Sequence, residues 1–258
     1  MITSRQNPKL KLVRALSSRP KERREAGAFL AEGVRLIEEA LAVDWPMRFV
    51  LYAEGLSMRG LDLLATLKAK GLDVEQVSTD LMQSLSDTET SQGILTVLNE
   101  SQLSMPAAFD FVLILDSIRE PGNLGALLRT ACAADMQAIL LSPDTTDVFA
   151  PKVVRAGMGA HFRLPIRSMS WKEIEKITES ADLQTYLADM NGQSCWETDL
   201  RRSLALIIGG EAQGASVQAR KLAGQQISIP MPGGAESLNA AVAGSILIYE
   251  VLRQRSIA

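Results

Sequence analysis

The chain has 258 residues, 47% of them hydrophobic and 22% charged. It is long enough to bury a core without disulfides and too apolar for a disordered protein. The formal net charge of −3 and an aromatic content of 5% do not advertise a nucleic-acid platform. A single histidine, His161, and two cysteines, Cys132 and Cys195, with no CxxC spacing, argue against zinc and predict no metal. That cysteine usage fits a reducing cytoplasm, with Cys132 expected as a buried thiol on a helix face. No apolar run approaches the ~20 residues of a membrane span, so no membrane partner is expected.

The average conceals an asymmetry. Residues 1–24 carry eight basic side chains against one acid, Glu22, which makes this segment about +7 and the remainder about −10. Two readings are open, a cationic arm for an anionic partner or a solvated, partly frayed terminus. The Arg- and Ser-rich start shares the composition of a transit peptide, but it runs straight into patterned sequence.

In chain order, residues 8–18 read as a short basic helix, Ala28–Ala31 as an extended segment and Val34–Leu41 as a helix. Strands at Arg48–Tyr52, Val74–Val77 and Gly93–Leu98 alternate with helices at Leu61–Lys70 and Asp80–Leu85, as in a small α/β unit. Residues 99–109 are polar, small and aperiodic, the best linker candidate. A second alternation starts at Asp110. Strand Phe111–Leu115 leads to helix Leu124–Ala134, whose Leu124, Leu127, Leu128, Ala131 and Cys132 share one face. Strand Ala138–Leu141 follows, then helix Val148–Met158 capped by Asp147, strand Phe162–Pro165, helix Trp171–Glu179 and strand Leu183–Ala188. Leu204–Ile208 is continuously apolar, as a buried parallel strand is. Helix Ser216–Leu222, strand Gln226–Ile229 and a long helix from Glu236 to Arg253 close the chain.

Three Gly-bearing loops follow predicted strands, where α/β folds place ligands: Leu115–Ala131, Ile207–Ser216 and Ile227–Ala243. Familiar nucleotide signatures fail. Gly209 and Gly214 have P-loop spacing, but Ala215 stands where the lysine belongs, and no GxGxxG is complete. In the third loop Pro230, Pro232, Gly233 and Gly234 bend the chain before Ser237 and Asn239. Helix capping accounts for one of these two polar residues, and Ser237 is the expected cap.

The three loops together resemble the signature motifs of the SpoU (TrmH-type) RNA ribose 2′-O-methyltransferases, within the SPOUT superfamily. Asn123-Leu124-Gly125 with Arg129 and Ala131 resembles the first motif, and Gly209, Glu211 and Gly214 the second. Ile229-Pro230-Met231, Gly233, Glu236-Ser237-Leu238-Asn239 and Tyr249-Glu250 resemble the third. Ile2–Leu16 and Phe29–Leu41 are similar to the substrate-binding domain that many members carry in front. Two small departures stand out: Gly210 replaces a second Asn, and Ala240-Ala241 replaces Val-Ser.

The resemblance implies an α/β protein with a C-terminal trefoil-knotted, mostly parallel-sheet SPOUT methyltransferase domain over 110–258, an exception to the rule against knots. A small N-terminal α/β ribosomal-protein-like domain over 1–98 would bind RNA, with 99–109 as linker. It implies S-adenosylmethionine as cofactor, with contacts on Gly209, Gly214, Ile229, Met231 and Leu238. It also implies catalytic roles for Arg129 as base or proton relay and for Asn123, Glu211 and Asn239 as residues shaping the site. RNA would meet Arg5, Lys9, Lys11 and Arg14 in the basic segment. The expected partners are RNA, ribosomal before transfer RNA, and a second copy in a homodimer. His161 is expected to be structural. The rival readings are a non-catalytic RNA-binding or ribosome-assembly protein of this fold and a generic nucleotide-binding enzyme.

Overall fold

The computed structural model describes residues 1–88, 90–210, 214–234 and 236–256. The chain divides into two compact units, Met1–Ser101 with Asp147–Phe162, and Gln102–Thr146 with Arg163–Ala258.

In the first unit α1 (Pro8–Ser18) starts behind Asn7, whose side chain accepts from the Lys9 backbone N–H. Leu10, Val13 and Leu16 recur on one face and are fully buried, so the basic segment is a docked element, not a frayed terminus. A short helix that the sequence pattern does not announce, α2 (Pro20–Ala26), ends at Gly27 with φ 55°. Then follow β1 (Ala28–Glu32), α3 (Val34–Ala42), β2 (Met47–Tyr52), α4 (Met58–Ala69), β3 (Val74–Gln76), α5 (Thr79–Leu85) and β4 (Ile94–Asn99). The sheet order is β1-β4-β2-β3. β4 is antiparallel to both neighbours, and β2 and β3 are parallel.

The second unit begins with β5 (Phe111–Asp116), α6 (Pro121–Ala133) and β6 (Ala138–Leu141). Residues 147–162, which belong to the first unit, hold α7 (Pro151–Gly157) and a 3-10 turn at Ala160–Phe162. Here two expectations are corrected. The helix starts at Pro151, three residues late, because proline is preorganised for the first helical turn. Asp147 therefore does not cap it and instead accepts from the Phe149 N–H and pairs with buried Arg23 at 2.7 Å. Phe162 and Leu164 are buried without being in a strand, and the strand lies at Ile166–Ser168, β7.

The chain continues through α8 (Trp171–Ser180), β8 (Gln184–Ser194), β9 (Leu204–Gly209), α9 (Val217–Leu222), β10 (Gln225–Ser228) and α10 (Ala240–Ser256). The six strands pair in the order β10-β8-β9-β5-β6-β7, all parallel. β5, β6 and β9 are the buried centre, as their apolar runs require. The last helix starts at Ala240, not Glu236. β8 holds an irregularity. Gln226 on β10 pairs with Leu187, but Ile227 pairs with Gln193, so residues 188–192 leave the ladder. Gly192 closes this excursion, and a Cβ on it would lie 2.5 Å from the Ile227 nitrogen. Only glycine admits so close a backbone approach.

Candidate active site

Parallel strands direct their carboxyl ends to one edge of the sheet, and the loops leaving those ends converge. At that edge of the second unit lies a cleft of about 570 Å³. Residues 209–210 and 214 leave β9, Ile229 and Met231 follow β10, and Leu238 precedes α10. All five residues that the sequence reading associates with a cofactor line this cleft: Gly209, Gly214, Ile229, Met231 and Leu238. Its walls combine apolar side chains, Leu247 and Ala243 among them, with glycine backbone and the polar side chains of Asp189, Asn191, Arg220, Ser237 and Asn239.

The glycine loop is tied down at both ends. A Cβ on Gly209 would lie 2.6 Å from the Ala215 nitrogen, so loop and strand end are in contact. Asp116, fully buried at the end of β5, accepts from the Ser216 N–H at 2.6 Å and from the hydroxyls of Ser117 and Ser142 at 3.1 and 3.2 Å. A buried carboxylate needs such donors to offset its lost hydration. Ser216 in turn caps α9 by accepting from the Ala219 N–H.

Asn239 borders the same cleft. Its Oδ1 accepts from the Ala241 and Val242 N–H groups, so Asn239, not Ser237, caps α10. Its Nδ2 donates to Asn123 Oδ1 at 3.0 Å. Asn123 lies in the first turn of α6, which begins at Pro121 and not at Leu124. The two asparagines, 116 positions apart, are thus one polar pair. Arg129 is exposed on α6 and does not line the cleft. It lies six residues beyond Asn123, roughly 9 Å along the helix axis. Glu211 lies outside the described residues.

The proposed RNA contacts on the first unit differ among themselves. Arg5 and Lys11 are exposed. Lys9 is held by Asp73 and Glu75 and lies over the Phe49 ring. Partial burial opposes its charge, but the two carboxylates prevail and raise its pKa. Arg14 donates to the Arg5 carbonyl at 2.8 Å. His161 is buried in the first unit beside Phe29 and Phe149, and its Nε2 donates to the Val148 carbonyl at 2.8 Å. Burial pushes its pKa down to about 4, so at neutral pH it is an uncharged structural side chain. Cys195 is buried, whereas Cys132 is only half-buried, because it flanks the apolar face of α6 instead of sitting at its centre. Among the described residues no cluster suits a metal ion, and no helix is long and apolar enough to cross a membrane.

Residues 110–249 match the model of the SpoU rRNA Methylase family, and residues 7–96 match the MRM3-like substrate binding domain. The chain belongs to the SpoU rRNA methylase family. It is 32% identical to the 23S rRNA (guanosine(2553)-2′-O)-methyltransferase RlmP of Bacillus subtilis, over 97% of this chain and 98% of that one. It is 31% identical to the 23S rRNA (uridine(2479)-2′-O)-methyltransferase of Streptomyces viridochromogenes, over 98% and 92%. The crystal structure of the SpoU methyltransferase AviRb from Streptomyces viridochromogenes, in complex with AdoMet, superposes with a TM-score of 0.87 at 30% identity, covering 98% of this chain and all of that one. The α/β fold with its parallel sheet is therefore that of the SPOUT methyltransferases.

Within this SpoU fold the structure also shows residues that the sequence reading passed over. Asp189 and Asn191, in the β8 excursion, and Arg220 on α9 line the cleft. The Asn191-Gly192 dipeptide was an available signal, since such pairs mark turns. Asp116 carried none, since a lone aspartate at a strand end reads as the start of a loop.

Proposed function

We propose that this protein transfers a methyl group from S-adenosylmethionine to a ribose 2′-hydroxyl of ribosomal RNA. The observation that carries the proposal is the convergence of three loops on one cleft, with the Asn123–Asn239 pair at its border. The names of RlmP and the Streptomyces enzyme support the reaction and the RNA class. The AdoMet-bound neighbour supports the cofactor.

The residues fit that cofactor. The cleft volume falls within the roughly 300–1,000 Å³ of small-molecule sites. Ile229, Met231 and Leu238 supply apolar walls for adenine, and the glycines at 209 and 214 leave backbone groups to read its edges. Bound there, S-adenosylmethionine supplies an electrophilic methyl group on a positive sulfur that leaves without acid assistance. The ribose 2′-oxygen bonds to the methyl carbon, the carbon–sulfur electron pair returns to sulfur, and the hydroxyl proton must be removed. We assign that removal to Arg129. An arginine stays protonated across the accessible range, so Arg129 acts by orienting a phosphate or water that accepts the proton. Asn123, Asn239 and Glu211 orient the ribose.

The proposal includes a homodimer and a trefoil knot about the cleft. Val242, Ile246 and Tyr249 form an exposed apolar stripe on α10. α10 packs on α6, where Thr130 and Ser245 meet at 2.9 Å. A second copy seated on that stripe would complete an active site around Arg129. The fold likeness supports the knot. The proposed site of action is the cytoplasm, and RNA is held by Arg5, Lys9, Lys11 and Arg14.

Mapping ribose methylation across cellular RNA, with and without the gene, tests the reading. One ribosomal nucleotide should lose its 2′-O-methyl group. Loss confined to transfer RNA would replace the substrate, and an unchanged map would overturn the activity.

A further inference from the structure

Among the described residues that line the cleft, two side chains carry charge, Asp189 and Arg220. They come from different elements, the β8 excursion and α9, and meet with Oδ2 and Nη1 2.7 Å apart. The Asp189 side chain is 11% exposed and that of Arg220 44%. Asp189 does not depend on Arg220 alone. The Asn191 backbone N–H, 3.0 Å from its Oδ1, is the main cause that holds its pKa below the usual carboxylate range, and burial opposes this. The Arg220 guanidinium adds to that lowering. Arg220 gives Nη1 to Asp189, while Nη2 lies toward the glycine loop, 3.9 Å from where a Cβ on Gly214 would stand. A guanidinium has five donors in a fixed fork, so this one retains donors on the cleft side.

We infer that the Asp189–Arg220 pair recognises the α-amino-acid end of the cofactor, Asp189 taking its ammonium and Arg220 its carboxylate. The inference rests on the cofactor reading above. Its physical basis is charge matching. Adenine and ribose carry no net charge, and the apolar walls and glycine backbone already suit them. The amino-acid end carries one cation and one anion on a single carbon, and a wall with one anion beside one cation is its electrostatic complement. Both new contacts form without breaking the existing pair, because each protein group retains unused donor or acceptor positions. The β8 excursion then has a purpose: it lifts Asp189 out of the ladder and against Arg220.

Calorimetric titration with two ligands tests this. S-adenosylhomocysteine has the amino-acid end, whereas 5′-methylthioadenosine has the same adenosine and thioether without it. Asp189→Asn keeps the shape and an acceptor for the Asn191 N–H. It should weaken S-adenosylhomocysteine binding roughly 10- to 100-fold, the cost of one lost charge-assisted hydrogen bond. Binding of 5′-methylthioadenosine should stay within about twofold. Arg220→Gln, on a half-exposed side chain, should give the same split and stands as the test if Asp189→Asn fails to fold. Unchanged affinity for S-adenosylhomocysteine would overturn the inference. Equal losses for both ligands would also overturn it and would assign the pair to the ribose hydroxyls. A wild-type protein that binds neither ligand would instead bring down the cofactor reading itself.

Discussion

The two units hold clefts of nearly equal volume, about 570 Å³ in the second and about 590 Å³ in the first, with different walls. The first unit's cleft lies where β2 ends and α3 and α4 begin, and it is lined by Arg35, Glu54, Arg59, Gln83 and Gln92. Arg59 is already bound by both oxygens of Glu38. The second unit's cleft offers glycine backbone, apolar side chains and one ion pair. The difference teaches that volume does not define a small-molecule site. A ligand with an adenosine body and a charged end needs apolar walls it can desolvate and a few fixed polar groups. The second cleft sets these on converging glycine-bearing loops with one ion pair, whereas in the first the apolar Val34, Ala53 and Met82 stand among two arginines and a glutamate. The first presents charged and amide side chains, which suit the solvated surface of a large polar partner.

That contrast can be broken by experiment. The largest expected effect is on turnover. Arg129→Ala should lower methyl transfer by about 10²- to 10⁴-fold, the usual span for a proton-transfer group, with cofactor affinity unchanged by calorimetry. A loss of cofactor binding instead would move Arg129 from the reaction to the cleft. Next is Gly209→Val. Its Cβ would meet the Ala215 backbone at 2.6 Å, so the loop must move, and S-adenosylmethionine affinity should fall by about 5- to 150-fold, the equivalent of the roughly 1–3 kcal/mol that overpacking costs a core. Arg35→Glu in the other cleft should leave that affinity untouched, and a comparable loss there would erase the distinction between the two.

A third effect concerns stability in the first unit. His161 titrates at about 4 in the fold, against 6.5 for an exposed histidine, because burial disfavours its charged form. Between those values the unfolded chain binds the extra proton, so stability is complete above pH 6.5 and declines as pH falls toward 4. The loss should reach about 3 kcal/mol, read by urea unfolding across that range, and His161→Phe should flatten it. A wild-type profile as flat as the variant's would refute the assignment. The smallest effect is graded. Reversing Arg5 and Lys11 to Glu should weaken RNA binding and lower the salt slope by about 1–2 units, since each phosphate contact contributes roughly 0.7–0.9. An unchanged slope would place the RNA elsewhere. Deleting residues 1–24 is no test, since that removes buried Leu10, Val13 and Leu16.

Much of the second unit was legible in the sequence because buried parallel strands read as unbroken apolar runs, as at Phe111–Leu115 and Leu204–Ile208. What escaped has physical reasons. α2, PKERREA, has no apolar stripe to betray it. Phe162 and Leu164 read as strand residues because burial alone leaves the same apolar signature. The sequence does not mark the start of α10 at Ala240, because the small, polar run Glu236–Asn239 reads equally as a first turn or as the loop before it. In the site, the glycine loops were visible as punctuation after strands. The Asn123–Asn239 bond and the Asp189–Arg220 pair were not, because each joins residues far apart in the chain, and periodicity carries no information about such contacts.

One measurement tests methyl transfer to a ribosomal ribose most directly. Ribosomal RNA incubated with the protein and S-adenosylmethionine carrying a labelled methyl group, then digested to nucleosides and resolved by mass spectrometry, should yield label on a single 2′-O-methylnucleoside, at a rate about 10²- to 10⁴-fold lower from Arg129→Ala. Label on a base, or none from the wild-type protein on ribosomal RNA, would contradict it.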